Sequence, residues 1–197
     1  MLTDTLKVKN KTVEIHQEDD FSESPREWDN LGTMVCFHPD YNLGDKDHIF
    51  GSPEDFVDFL ENDKYIALPL LLLDHSGLWM KTIRFECDYG GWDTSHVGYI
   101  YVTHEQLRYE YGWKYLTKDR IAKIKSYLQA EVEIYSMYLE GRTYFFHSTC
   151  DSCGEEDSCG GFYGEDWKDN GLMEHVDYYC SCKDRPAANN KAVIQGL

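Results

Sequence analysis

Twenty of the 36 carboxylates in this 197-residue chain fall in three windows that together hold only three bases. Residues 17–29 carry Glu18, Asp19, Asp20, Glu23, Glu27 and Asp29 against Arg26. Residues 45–63 carry Asp45, Asp47, Glu54, Asp55, Asp58, Glu61 and Asp63 against Lys46. Residues 151–169 carry Asp151, Glu155, Glu156, Asp157, Glu165, Asp166 and Asp169 against Lys168. These windows account for the whole formal charge of −17, and the rest of the chain balances sixteen acids with sixteen bases. Carboxylates are almost never fully buried unless paired. A core therefore has to be assembled from the apolar segments between the windows, with 42% hydrophobic and 15% aromatic residues to build it.

Those segments read as a mixture of strands and helices. Lys7 to His16 partly alternates and predicts a first strand or hairpin with a turn near Asn10-Lys11. Thr33 to His38 is a short β-like run stopped by Pro39. Ser52-Pro53-Glu54-Asp55 starts a helix with a serine cap, proline at the first position and acids in the first turn. Phe56, Val57, Phe59 and Leu60 give that helix its apolar stripe. Strands are expected at 65–73, 79–87 and 96–102, arranged as an antiparallel meander. Thr103-His104-Glu105-Gln106 fits a capping box for a short helix to about Tyr111. Thr117 caps the longest helix, which carries Ile121, Ile124, Leu128, Val132, Tyr135 and Leu139 at helical spacing and stops at Gly141. Two further strands are expected at 144–148 and 161–163, and a short helix within 171–179. The class is α+β: an antiparallel sheet with one long helix and two or three short helices. A single domain over 1–185 and a loose tail over 186–197 complete the expected organisation.

No stretch approaches the ~20 apolar residues that cross a bilayer, and Met1 to Asn10 has no apolar region of a secretory signal. The expected setting is a cytoplasm, where seven cysteines would stay reduced. Cys150-Asp-Ser-Cys153-Gly resembles half of a zinc site, and Cys180-Ser-Cys182 could close a four-thiolate set. Free thiols are the alternative, since the second pair is Cys-x-Cys and Cys159 intervenes. Cys36 and Cys87 fall in expected strands and read as small core residues.

Other chemistry is thinly marked. The sequence has no HExxH, Walker A loop, GxGxxG after a strand or GxSxG elbow. Asp45, Asp47 and His48, with Asp74 and His75, could contribute to a metal or acid–base site, although polar turns explain them equally. Lys118, Arg120, Lys123 and Lys125 stand at the positive end of the long helix, where a nearby anion could offset their cost but simple solvation is the plainer account. The charge itself repels phosphates and attracts basic surfaces. Direct nucleic-acid binding and membrane binding are therefore not expected. Solubility alone is the bland account of such charge, yet scattered charge would serve that end better than three self-repelling blocks.

Three segments look familiar together: Ser24-Pro-Arg-Glu-Trp-Asp-Asn-Leu-Gly-Thr-Met-Val-Cys36, Leu68-Pro69 through Asp74-His75-Ser76-Gly77, and Asp157-Ser-Cys-Gly-Gly-Phe-Tyr-Gly164. With Val97-Gly98-Tyr99-Ile100-Tyr101-Val102 and Tyr111-Gly112-Trp113, they resemble a group of acidic proteins encoded by bacteriophages and mobile elements. The resemblance covers most of residues 20–165 and lends no catalytic residue. It implies a counter-defence protein of the anti-CRISPR or anti-restriction type, more a binder than an enzyme. Its partner would be a host defence nuclease with a basic nucleic-acid channel, and Glu18, Asp19, Asp20, Asp55, Asp58, Glu61, Glu155, Glu156 and Asp157 are the expected contacts. A small metal-dependent enzyme, or a sponge for an immune nucleotide signal, is the alternative.

Overall fold

Strands from the two ends of the chain build one antiparallel sheet, and strands from its middle build another. In the computed structural model, residues 1–17, 23–46, 48–62, 64–86, 93–176, 180 and 182 are described. The first sheet has the order β1-β2-β7-β8, from β1 (Leu2–Val8), β2 (Lys11–Gln17), β7 (Thr143–Cys150) and β8 (Glu156–Tyr163). The second has the order β3-β6-β4-β5, from β3 (Thr33–Cys36), β4 (Tyr65–Asp74), β5 (Leu78–Lys81) and β6 (Thr94–Thr103). Helices α1 (Pro53–Asn62), α2 (His104–Tyr111), α3 (Lys118–Leu139) and α4 (Leu172–His175) join a 3-10 turn at Pro25–Glu27.

The helix signals act as the sequence implies. Thr103 and Gln106 close a full capping box on α2, and Gly112 ends it in the left-handed region. The Thr117 side chain accepts from the Arg120 N–H, and α3 stops at a Gly141 of φ +68°. Ile124, Leu128, Val132 and Tyr135 of α3 are buried against Met34, Leu70, Leu72, Met80, Ile100 and Val102 on one face of the second sheet. The opposite face packs Val35 and Tyr101 against Phe50 and Phe56, so this sheet lies between α3 and α1. The first sheet has a smaller core of its own, in which Val13, Ile15, Tyr144 and Phe146 meet Trp167, Leu172 and Val176. Each fully buried aliphatic or aromatic side chain contributes about 1.5–3 kcal/mol.

Four expectations are corrected. The middle strands do not form a meander: β6 pairs with β4 and β3, not with β5. Ten-residue β6 matches ten-residue β4 along its length, whereas β5 has only four residues to offer. The expected strand at 79–87 ends at Lys81, its last residue paired with β4, opposite Leu71; Cys87 lies outside the described residues. The last strand starts at Glu156 instead of Gly161, because an edge strand needs no buried face and Glu156 to Gly161 are all exposed. The turn of the first hairpin is at Lys9-Asn10, with Lys9 at φ +58°. The expected tail over 186–197 lies outside the described residues.

Gly98 fixes how closely β3 and β6 approach. A Cβ there would stand 1.9 Å from the Val35 carbonyl oxygen, so no other residue fits without moving β3.

Candidate functional site

The turn between β7 and β8 brings the Cys-x-x-Cys pair together. The Gly154 N–H donates to the Cys150 carbonyl at 2.9 Å, with Gly154 at φ +73°, and the Cys150 N–H donates to the Glu155 carbonyl at 2.8 Å. The neighbouring hairpin braces this turn: the Asp151 N–H donates to the Asn10 carbonyl at 2.8 Å, and Asn10 Nδ2 reaches Cys150 Sγ at 3.4 Å. Asp151 is held in turn by Lys7 at 2.7 Å and by Thr12 Oγ1 at 2.6 Å, which keeps its carboxyl below the usual range.

Cys180 and Cys182 arrive from the chain beyond α4. The Sγ atoms of Cys150 and Cys182 are 3.5 Å apart, those of Cys153 and Cys180 are 3.4 Å apart, and all four lie within 4.8 Å of one another. A tetrahedral ion with bonds of about 2.3 Å to sulfur needs ligand edges of about 3.8 Å, inside that spread. The cluster can therefore hold a metal ion. Its polar surroundings differ from sulfur to sulfur. The Ser152 N–H, followed by the Cys153 N–H, pulls the Cys150 thiol down to about 6 against the effect of burial. Cys180 Sγ instead donates to Glu155 Oε2 at 2.9 Å, and that carboxylate raises its pKa. Cys159 points elsewhere, exposed on β8 with its thiol on the Gly160 carbonyl.

Compared with family models, with curated proteins and with solved structures, the chain matches none.

The expected partner contacts fall on two separate surfaces. Asp55, Asp58 and Glu61 are exposed on α1, which covers the second sheet. Glu155, Glu156 and Asp157 are exposed at the edge of the first sheet, with Glu156 3.6 Å from His147. Glu18, Asp19 and Asp20 lie outside the described residues. Of the histidine and aspartate candidates, Asp45 and His48 line one cleft, while Asp74 and His75 have partners of their own. Tyr41 donates to Asp74 at 2.9 Å, and His75 faces Asp93 at 3.3 Å. His48 lines a cleft of about 520 Å³ with Ser24, Arg26 and Lys46, and Asp47 lies outside the described residues. Cys36 is buried in β3, as a small core residue should be.

One constellation is invisible in the spacing. Arg26, its side chain only 3% exposed, donates from Nε and Nη2 to the two oxygens of Asp45 at 2.7 and 3.1 Å, and from Nη1 to Glu131 at 3.0 Å. Its Nη2 also donates to the Gly32 carbonyl at 2.6 Å. Glu131 then accepts the Leu31 and Gly32 N–H groups, and Asp45 accepts that of Met34. Burial works against the guanidinium charge, but Asp45 and Glu131 more than offset it and the pKa is raised. Two members come from acidic windows that looked purely superficial. The available signal was that Arg26 is the single base of its window.

Proposed function

We propose that this chain is a non-catalytic binding module of the phage or mobile-element counter-defence type, acting in the cytoplasm of a bacterial host. Its exposed carboxylates would occupy the basic nucleic-acid surface of a defence nuclease or of its guide complex. The observation that supports the reading is that all six described candidate acids are exposed, three on α1 and three at the β7–β8 end. Two such surfaces suit a partner with an extended basic channel. In the same reading the four cysteines take zinc. Four thiolates close its tetrahedron and leave no open position for substrate, which makes the ion a staple.

A metal-dependent enzyme, one form of the alternative, would draw on the cleft beside Asp45 and His48, where the cations are already engaged, Arg26 by Asp45 and Glu131 and Lys46 by Glu27 at 3.0 Å. A nucleotide sponge, the other form, would need a basic pocket near Arg120 and Lys123. The test is retention of partners from a bacterial lysate at low and high salt, identified by mass spectrometry. A salt-sensitive defence nuclease is the expected catch, and its inhibition should weaken when either acidic surface is reversed to lysine. Undiminished inhibition by both reversed variants would overturn the reading.

A further inference from the structure

The corner between α2 and α3 carries the opposite charge to the rest of the molecule. Residues 108–127 hold six bases, Arg108, Lys114, Lys118, Arg120, Lys123 and Lys125, against Glu110 and Asp119. Five of the six bases are exposed and Arg120 is half-buried. None of them forms an ion pair among the described residues. Arg120 Nη1 instead donates to the Tyr115 carbonyl at 2.7 Å, with its guanidinium 4.7 Å from the centre of Trp113.

Rings are interleaved with these charges. Tyr109 is 88% and Tyr115 79% exposed. Tyr111 stacks on Trp113 at 4.5 Å and 19°, and Lys123 stands 5.4 Å from the Tyr127 ring. Cations alone would serve any polyanion, but open tyrosine faces add a function only where the ligand has flat rings of its own. Unpaired bases on a phosphate backbone have both features. The net charge of −17 works against such a ligand at long range. At physiological salt that field is screened beyond about 8 Å, so the local set of cations decides at contact. The nearby opposing acids are Glu105 one turn before Arg108 and Tyr109 on α2, Glu110, Asp119 and, across the cleft beside Tyr111, Asp29.

We propose that the α2–α3 corner binds single-stranded nucleic acid, with bases stacked on Tyr109 and Tyr115 and phosphates held by Lys114, Lys118, Arg120 and Lys123. The whole-chain charge had excluded this ligand; the local surface restores it. The proposal stands independently of the acidic surfaces and uses none of their residues.

The test is fluorescence anisotropy of labelled single strands of about 12 nucleotides, a length within the usual footprint of such sites. DNA and RNA versions are run separately, with the duplex as control and the full-length protein at physiological salt, where the net negative charge is screened. Binding of a single strand in preference to the duplex is expected. Tyr109→Ala and Tyr115→Ala should each weaken it about tenfold, and a Lys118→Glu/Lys123→Glu variant should abolish it. Both tyrosines are so exposed that neither change threatens the fold. No binding at physiological salt would overturn the proposal, and so would binding that ignores the tyrosine changes. Equal competition by poly-glutamate would assign the corner to an acidic polypeptide and overturn it too. Loss of defence-nuclease inhibition on reversing α1, with oligonucleotide binding intact, would show the two surfaces to be separate.

Discussion

Arg26 shows how one residue can turn an acidic loop inward. It ties the 3-10 turn to α3 through Glu131 and to the loop after β3 through Asp45. Replacing it with Met strands two carboxylates in a half-buried site, at a cost of about 3–5 kcal/mol. Arg26→Lys should also destabilise, because lysine cannot reproduce the two-pronged contact with Asp45; urea denaturation checks both. Burial pushes the Cys36 thiol and the Tyr135 hydroxyl each up to about 12. Their ordinary values are 9.0 and 10.0, so above pH 9 the unfolded chain sheds protons that the folded chain keeps. Stability should hold below that pH and fall as it rises toward 12, by about 1.4 kcal/mol per pH unit for each group. Urea midpoints across this range should show Cys36→Ala delaying the onset of the fall. The buried position of Cys36 was readable from its β-like neighbours. The Arg26 network was not, because Asp45 and Glu131 are far from it in sequence and charge alone assigns them to the surface.

Elements with strong local chemistry were readable: the caps of α2 and α3 and the proline start of α1 each carry their own signal. Strand β8 was half missed, since glycines and acids are poor strand formers and its order comes from pairing with β7. All four cysteines of the cluster were named from the sequence, Cys150-x-x-Cys153 by its spacing and Cys180-x-Cys182 as the pair that could close it; the fold adds that their sulfurs meet. Zinc uptake should be one ion per chain by elemental analysis, and Cys153→Ser or Cys182→Ser should reduce it sharply. At zinc a thousandfold above its Kd, binding would add about 4 kcal/mol, so a strong chelator should lower Tm by roughly 10 °C. An unchanged Tm would argue against the staple. Within the second sheet, Gly98→Ala should break the β3–β6 ladder and cost several kcal/mol by thermal melting, since the clash is with backbone that cannot rotate away.

At the scale of the molecule, the charge is sorted. Acids line α1 and the β7–β8 end, and a basic, ring-bearing corner stands at the start of α3. Association with a basic partner should slow and weaken as salt rises, and an Asp55→Lys/Asp58→Lys/Glu61→Lys variant should lose more association rate than dissociation rate. Stopped-flow binding at several salt concentrations measures this directly. The sheet order has a consequence of a different kind. The middle sheet and α3 draw on one continuous stretch, 33–139, whereas β2 must pair with β7 more than a hundred residues later. During synthesis the β1–β2 hairpin leaves the ribosome more than a hundred residues ahead of its partner strand. Until β7 emerges, the free edge of β2 stays open to any other strand. The apolar Val13 and Ile15 must wait with it, so the opening hairpin is where a growing chain of this design is most exposed to chaperones and to misassembly.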